Sequence, residues 1–323
     1  MNLHKDKINF EKLIDLTSRH LDVKDSAIVE KDYYVTYFLQ KISEKQPDII
    51  FKGGTSLSKC HKVIDRFSED IDLTIVPKTE NVTRPQRKSL KYSIMEIIDE
   101  AGFVLRNKIP PQSGNDINRY NISCNSSGFG ISLKPDIIVE TSVLIKSFPT
   151  EIKDTSSLIY DFLKSQGDDK SIEAYGLKPF KMSVQTLART LADKLFAIVD
   201  YYIDNDKERL GRHIYDIYKI LPYVKLDETF RVLTEDVRDT RKKHTDRCHS
   251  AQDSVDIQEK LQRIVVEMYY ESDYNKYKNP MHFDDVSYTD AITAVQTVID
   301  KGIFTRTGNE CKSPKNHTEP KKI

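Results

Sequence analysis

The sequence predicts an α+β protein: a small mixed or antiparallel sheet flanked by helices, followed by a C-terminal helical bundle. Three observations carry this prediction. Over residues 1–150, segments with helical apolar spacing alternate with short extended runs. Over 151–304 the composition turns helical, and 305–323 is polar, lysine-rich and without periodicity, as in a flexible tail. Between the first helices and the extended runs lies 51–75, FKGGTSLSKCHKVIDRFSEDIDLTI, which joins an apolar run, a Gly53-Gly54 turn, a polar helix-compatible segment and an alternating strand.

Residues 9–21 and 25–44 read as amphipathic helices; in the second, Ile28, Tyr33, Val35, Phe38, Leu39 and Ile42 roughly follow helical spacing. Gln46-Pro47 ends it. The 51–75 unit follows as strand, turn, helix, strand. A polar connection from Pro77 to Pro85 leads to a helix over 86–101 with Leu90, Ile94, Ile97 and Ile98 inward. FVLRN, RYNISC and GFGISLKPDIIVETSVLI then read as strands, separated by Pro110-Pro111 and by Asn/Ser/Gly turns. After Pro149, helices are expected over 183–203, with Ser183 as N-cap, and over 211–221, 226–245, 254–271 and 284–300.

Composition excludes several classes. The 50 basic and 50 acidic residues cancel, so any polyanion must meet a local patch. MNLHKDKINF has no apolar core of a signal peptide, and no run reaches the ~18 apolar residues of a membrane span. Cys60, Cys124, Cys248 and Cys311 are far apart with no C-x-x-C pair. That favours a reducing, cytoplasmic setting over a disulfide or zinc framework.

The chemistry is concentrated in 51–75. In Glu69-Asp70-Ile71-Asp72-Leu73-Thr74-Ile75, alternation puts Asp70, Asp72 and Thr74 on one face and the aliphatic residues on the other. Adjacent carboxylates repel, and oxygen ligands suit Mg²⁺ or Mn²⁺ as the offsetting cation. Sixteen residues before Asp70, the Gly53-Gly54-Thr55-Ser56 turn opens a helix-compatible segment. Backbone N–H groups at such a turn receive phosphate, with Thr55 and Ser56 hydroxyls and the Lys59 charge nearby. Alone, each signal has an ordinary alternative, a strand-to-helix turn or an exposed edge strand. Together they describe a site where the turn grips a nucleoside triphosphate and the carboxylates hold its metal.

GGTSLSK followed by RFSEDIDL resembles the nucleotidyltransferase superfamily with the DNA polymerase beta-type fold, and specifically the AbiEii/AbiGii toxin family. VEKDYYV (29–35), TLADKLFAI (190–198) and RHIYDIYKI (212–220) are similar to that family too, so the resemblance spans about 29–221. The gap from the Gly turn to the first Asp is longer than the superfamily's usual one, which the toxin branch accommodates. The resemblance implies Asp70 and Asp72 as catalytic metal ligands and Lys194 and Asp216 as the third and fourth motif residues. It also implies a separately encoded antitoxin, and points to the 3′ end of a tRNA as acceptor.

The residues themselves leave alternatives. Lys194 continues the stripe Leu187, Leu191, Ile198, so it either snorkels at the stripe's edge or faces a triphosphate. Asp216 either pairs with Lys219 or Arg212 on the surface, or orients Lys194 or acts as a base. Asp136 is the candidate third metal carboxylate, with Glu140 in reserve on the same face; the alternative for Asp136 is a plain strand start after Pro135. Arg66 and Ser68 are placed to contact the nucleotide or to fix the turn. Glu30, Lys31 and Asp32 read as a structural charged cluster docking the N-terminal helix. In RDTRKKHTDRCH (238–249), Arg238, Arg241, Lys242, Lys243 and Arg247 form the densest basic stretch, either a solvated helix face or a contact for RNA or an acidic antitoxin; His244, Cys248 and His249 lack a fourth zinc ligand. The expected activity is Mg²⁺-dependent transfer of a nucleotide to an acceptor hydroxyl with release of pyrophosphate. The alternatives are a non-catalytic nucleotide- or partner-binding module and a transferase for a small molecule.

Overall fold

The computed structural model describes residues 1–305 except 24, 69, 125–135, 209–210 and 282–283, and the backbone alone over 277–281. The tail expected over 305–323 therefore lies almost wholly outside the described residues. Helices α1 (Lys7–His20) and α2 (Ala27–Lys45) come first. α1 starts at Asp6, whose carboxylate accepts the Asn9 N–H. Strand β1 (Ile49–Lys52) runs into a short helix, α3 (Gly53–Ser56), which widens into a π turn over Leu57–His61. Then come β2 (Asp70–Ile75), α4 (Arg84–Glu100), β3 (Val104–Leu105), β4 (Ile117–Ser123) and β5 (Ile137–Ser142). α4 opens in a reciprocal capping box of Thr83 and Gln86.

Residues 150–185, expected to belong to the helical bundle, instead interleave two strands with two short helices. β6 (Thr150–Thr155), α5 (Leu158–Ser165), α6 (Asp169–Ala174) and β7 (Phe180–Gln185) add two strands to the sheet. Its order is β3-β4-β5-β2-β1-β7-β6, with β1 parallel to β7, β2 parallel to β5 and the other pairs antiparallel. The alternation that marks β7 is only Met182 and Val184, both buried among charged and polar neighbours, so composition hides it. Ser183 sits inside this strand. The N-cap of α7 (Leu187–Ile203) is Thr186, whose hydroxyl accepts the Arg189 N–H. The sheet-bearing half thus reaches Gln185 rather than ending near 150. The helical half comprises α7, α8 (Gly211–Ile220), α9 (Glu228–Lys242), α10 (Ile257–Val266), α11 (Glu271–Met281) and α12 (Tyr288–Asp300).

Two apolar cores result. The first packs α1, α2, α4 and α5 on one face of the sheet, against Phe51, Ile71, Leu73, Val139 and Val184. The second lies within the helical half, around Leu195, Phe196, Ile214, Ile217, Leu261 and Val295. Leu57, Val63 and Ile64 belong to the second core, so the segment after the Gly turn anchors the sheet to the helical half. The opposite sheet face, which carries Asp70 and Asp72, is left toward α7 and α8. No described helix is long and apolar enough to cross a membrane. Cys60, Cys124 and Cys248 are unpaired and buried.

Candidate active site

The Gly turn is shaped by what it must clear. Gly53 has φ +74°, in the left-handed region, and a Cβ there would fall 1.9 Å from Asp72 Oδ2. A Cβ at Gly54 would fall 2.6 Å from the Arg66 guanidinium and 2.9 Å from Ser68 Oγ. The two glycines therefore let Asp72 and the 66–68 segment close over the start of α3. The hydroxyls expected to meet phosphate are spent on the turn itself. Thr55, fully buried, donates to the Asp70 carbonyl at 2.5 Å and lies 2.9 Å from Ser68 Oγ, and Ser56 donates to the Gly53 carbonyl at 2.8 Å. Lys59 points elsewhere: its ammonium lies 2.5 Å from Asp32 Oδ1, while Asp32 Oδ2 accepts the Leu158 N–H. Asp32 thus ties α2 to the π turn and to α5, the structural role expected for that charged cluster.

Across the sheet face turned toward α7 and α8 runs a row of charge. Lys52 on β1 pairs in register with Asp72 on β2, Asp72 with Glu140 on β5, and Glu140 with Arg119 on β4. Arg119 Nη1 lies 2.6 Å from Glu140 Oε1. Burial pushes the Asp72 carboxyl up to about 6; Glu140 and Asp70 add to this, while Lys52 and Lys194 oppose it. One position along, Asp70 Oδ1 is buried and has no hydrogen-bond partner among the described residues. Glu140 is therefore the carboxylate beside Asp72. Asp136 lies four residues earlier, roughly 13 Å along the strand, where its charge acts on Cys124 next to Glu30 and Lys31. Among the described residues no cluster of three His, Cys, Asp or Glu side chains is close enough to hold an ion. A pair of aspartates with one buried, unpartnered oxygen fits a hard divalent cation.

Facing them, α7 and α8 supply a buried ion cluster. Asp216, fully buried, accepts two bonds from Arg66 (Nε 2.7 Å, Nη2 2.8 Å) and one from Lys194 (2.7 Å). Burial alone would raise the Asp216 carboxyl, but Arg66 and Lys194 overcome it and hold it well below the usual carboxylate range. Burial lowers the Lys194 ammonium against the pull of Asp216. Lys194 Nζ also lies 3.2 Å from His213 Nδ1. Burial, Lys194 and Arg212 keep His213 neutral, so Nδ1 accepts from the lysine and Nε2 carries the proton. Arg66 is thus a partner of Asp216, and Asp216 pairs inward rather than with Lys219, which binds Asp65 and Asp284.

The two faces enclose a cavity of about 240 Å³ lined by Lys52, Gly53 and Asp72 on one side and Asp193, Lys194 and His213 on the other. Gln185 and Arg241 also line it, with Gln185 Nε2 2.5 Å from Asp193. Sequence reasoning missed Lys52, Asp193 and His213. Lys52 was within reach of the same alternation that found Asp72, since it follows buried Phe51. His213 precedes Asp216 by one helical turn. The basic stretch 238–249 is largely consumed internally: Arg238 donates to the Ala251, Gln252 and Val255 carbonyls, Arg241 binds Asp200, and His244 lies against the Leu144 carbonyl.

An open mixed sheet that presents paired aspartates and a Gly-Gly turn to a lysine-bearing helical half is the framework the sequence motifs anticipate. The sequence matches the family described as nucleotidyl transferase AbiEii toxin, type IV toxin–antitoxin system, over residues 37–300. That match covers most of the chain, and the protein belongs to this family of nucleotidyl transferase toxins. A comparison with curated proteins gives no match.

Proposed function

We propose that the protein is a divalent-metal-dependent nucleotidyltransferase, the toxin of a toxin–antitoxin pair acting in the cytoplasm, which transfers a nucleotide from a nucleoside triphosphate to the 3′ end of a tRNA. The observation that carries this reading is the unpartnered, buried Asp70 oxygen two residues along the strand from Asp72, which lines the Lys194 cavity and whose carboxyl is pushed up to about 6. Asp70 and Asp72 would hold Mg²⁺ or Mn²⁺, and Glu140 could join by releasing Arg119. When bound, the cation supplies Lewis-acid polarisation of the triphosphate and eases deprotonation of the acceptor hydroxyl. That hydroxyl attacks the α-phosphate, and pyrophosphate leaves. Lys194 keeps a donor for phosphate while Asp216 and His213 fix its position. Arg66, through Asp216, couples the carboxylate loop to α8. Gly53 and Gly54 keep the approach to Asp72 free of side chains. The family membership supports a separately encoded antitoxin as partner.

Purified protein incubated with Mg²⁺, total tRNA and each labelled nucleoside triphosphate in turn should label tRNA. An aminoglycoside panel run in parallel should stay unlabelled. Asp70→Ala should lower transfer by at least ~10³-fold without loss of fold, since removing one carboxylate relieves repulsion. Full activity in that variant would refute the site, and labelling of the aminoglycosides alone would refute the acceptor.

A further inference from the structure

Among the described residues, the cations of the cavity wall and of the segments next to it are mostly committed. Lys59 is bound to Asp32, Arg66 and Lys194 to Asp216, Arg119 to Glu140, and Arg241 to Asp200. Lys52 is different. It is the last residue of β1, directly before Gly53, in register with Asp72, and it lines the same cavity as Lys194. Among the described residues its ammonium has no hydrogen bond or ion pair, although its charge is felt by Asp72. A half-buried ammonium beside a carboxylate it does not bond keeps its donors open to the cavity, where an anion can take them. Once a cation neutralises Asp70 and Asp72, the uncompensated charge at that place is positive. What a nucleoside triphosphate brings there is a phosphate.

We propose that Lys52 is a phosphate-binding residue of this cleft, opposite Lys194, in the role the sequence suggests for Lys59. This rests on the nucleotidyltransferase reading. The cleft then grips the triphosphate from both walls, one lysine on the sheet and one on α7. Lys52 has all its donors open, whereas Lys194 has two committed to Asp216 and His213.

The test uses the full chain at pH 8, above the value of about 6 to which Asp72 is pushed. Inorganic pyrophosphate with Mg²⁺, each of the four nucleoside triphosphates with Mg²⁺, and Mn²⁺ alone are titrated calorimetrically. The proteins compared are the wild type, Lys52→Gln, Lys52→Met and Lys52→Arg, with thermal melting to check folding. Losing one charge-assisted hydrogen bond should weaken pyrophosphate and triphosphate binding about tenfold in the Gln and Met variants. Lys52→Arg should stay within about threefold of wild type because it keeps the charge. Mn²⁺ alone should bind at least as tightly as in the wild type, because a neighbouring cation is gone. Unchanged pyrophosphate affinity in Lys52→Gln overturns the proposal. So does joint loss of Mn²⁺ and pyrophosphate binding, which would mean that the lysine only maintains Asp72. A wild type that binds Mn²⁺ but neither pyrophosphate nor any triphosphate would bring down the nucleotidyltransferase reading itself, and this inference with it.

Discussion

Asp72 lines the cleft and Asp216 lies fully buried against its Lys194 wall, yet their surroundings treat the two carboxylates in opposite ways. Around Asp216 the protein supplies two cations and three hydrogen bonds, so the carboxylate is ionised and satisfied with nothing added. Around Asp72 it supplies the carboxylates of Glu140 and Asp70, only partly offset by Lys52 and Lys194, and Asp70 keeps an oxygen without a partner among the described residues. A self-satisfied ion cluster holds segments in place: here it fastens the loop before β2 to α7 and α8. An unsatisfied one stores repulsion that a ligand can relieve. The contrast assigns positioning to the Arg66–Asp216–Lys194 cluster and ligand binding to the Asp70–Asp72 pair. Each half of that assignment can be broken separately.

The largest stability effect should follow Asp216→Ala. It leaves Arg66 and Lys194 buried without their shared partner, which costs roughly 3–5 kcal/mol, read as a lower urea midpoint at pH 7. A loss below ~1 kcal/mol would show that Asp216 is not the fastener. Next comes Gly53→Ala, which combines a left-handed backbone with a Cβ 1.9 Å from Asp72 Oδ2. Destabilisation of about 1–3 kcal/mol is expected, together with a fall in transfer beyond what lost folded protein explains, because Asp72 must move. Retention of full transfer would disconnect the turn from the site.

The smallest effect is also the most diagnostic. A carboxyl whose folded value is raised to about 6 from 3.8 holds its proton more tightly in the folded state. Stability from this group is present at low pH and is lost as pH rises through about 6. Without added metal, the protein should be less stable at pH 7 than at pH 5 by about 1.3 kcal/mol from this group, and Asp72→Asn should flatten that slope. Asp216, held below the usual carboxylate range, contributes nothing over the same interval. A divalent cation should reverse the trend by binding the ionised folded form. An unchanged slope in Asp72→Asn would show that its burial is not the source of the strain.

Much of this was open to sequence reading. The period-two alternation of 70–75 put both aspartates on one face, and the burial of Ile71, Leu73 and Ile75 follows it. The Gly-Gly turn was found, though its reason was not: the glycines make room for Asp72, Arg66 and Ser68, which arrive from elsewhere in the chain. The sheet's last two strands were missed because β6 is rich in charge and β7 shows little alternation beyond Met182 and Val184, so their pairing rather than their pattern defines them. Asp136 was favoured over Glu140 on sequence position, and register reverses the order of proximity to Asp72.

The sequence by itself determined the α+β class, the family motifs, and which residue types could carry the chemistry. These are local properties, written in spacing of two and of three to four. Only the tertiary structure decided who partners whom. Lys59 goes to Asp32 because α2 packs where the π turn ends, and Lys52 is left beside Asp72 because β1 and β2 pair antiparallel in that register. Arg66 and Asp216 meet across 150 residues of chain. Charge pairing depends on distance in space, and no local period encodes that distance.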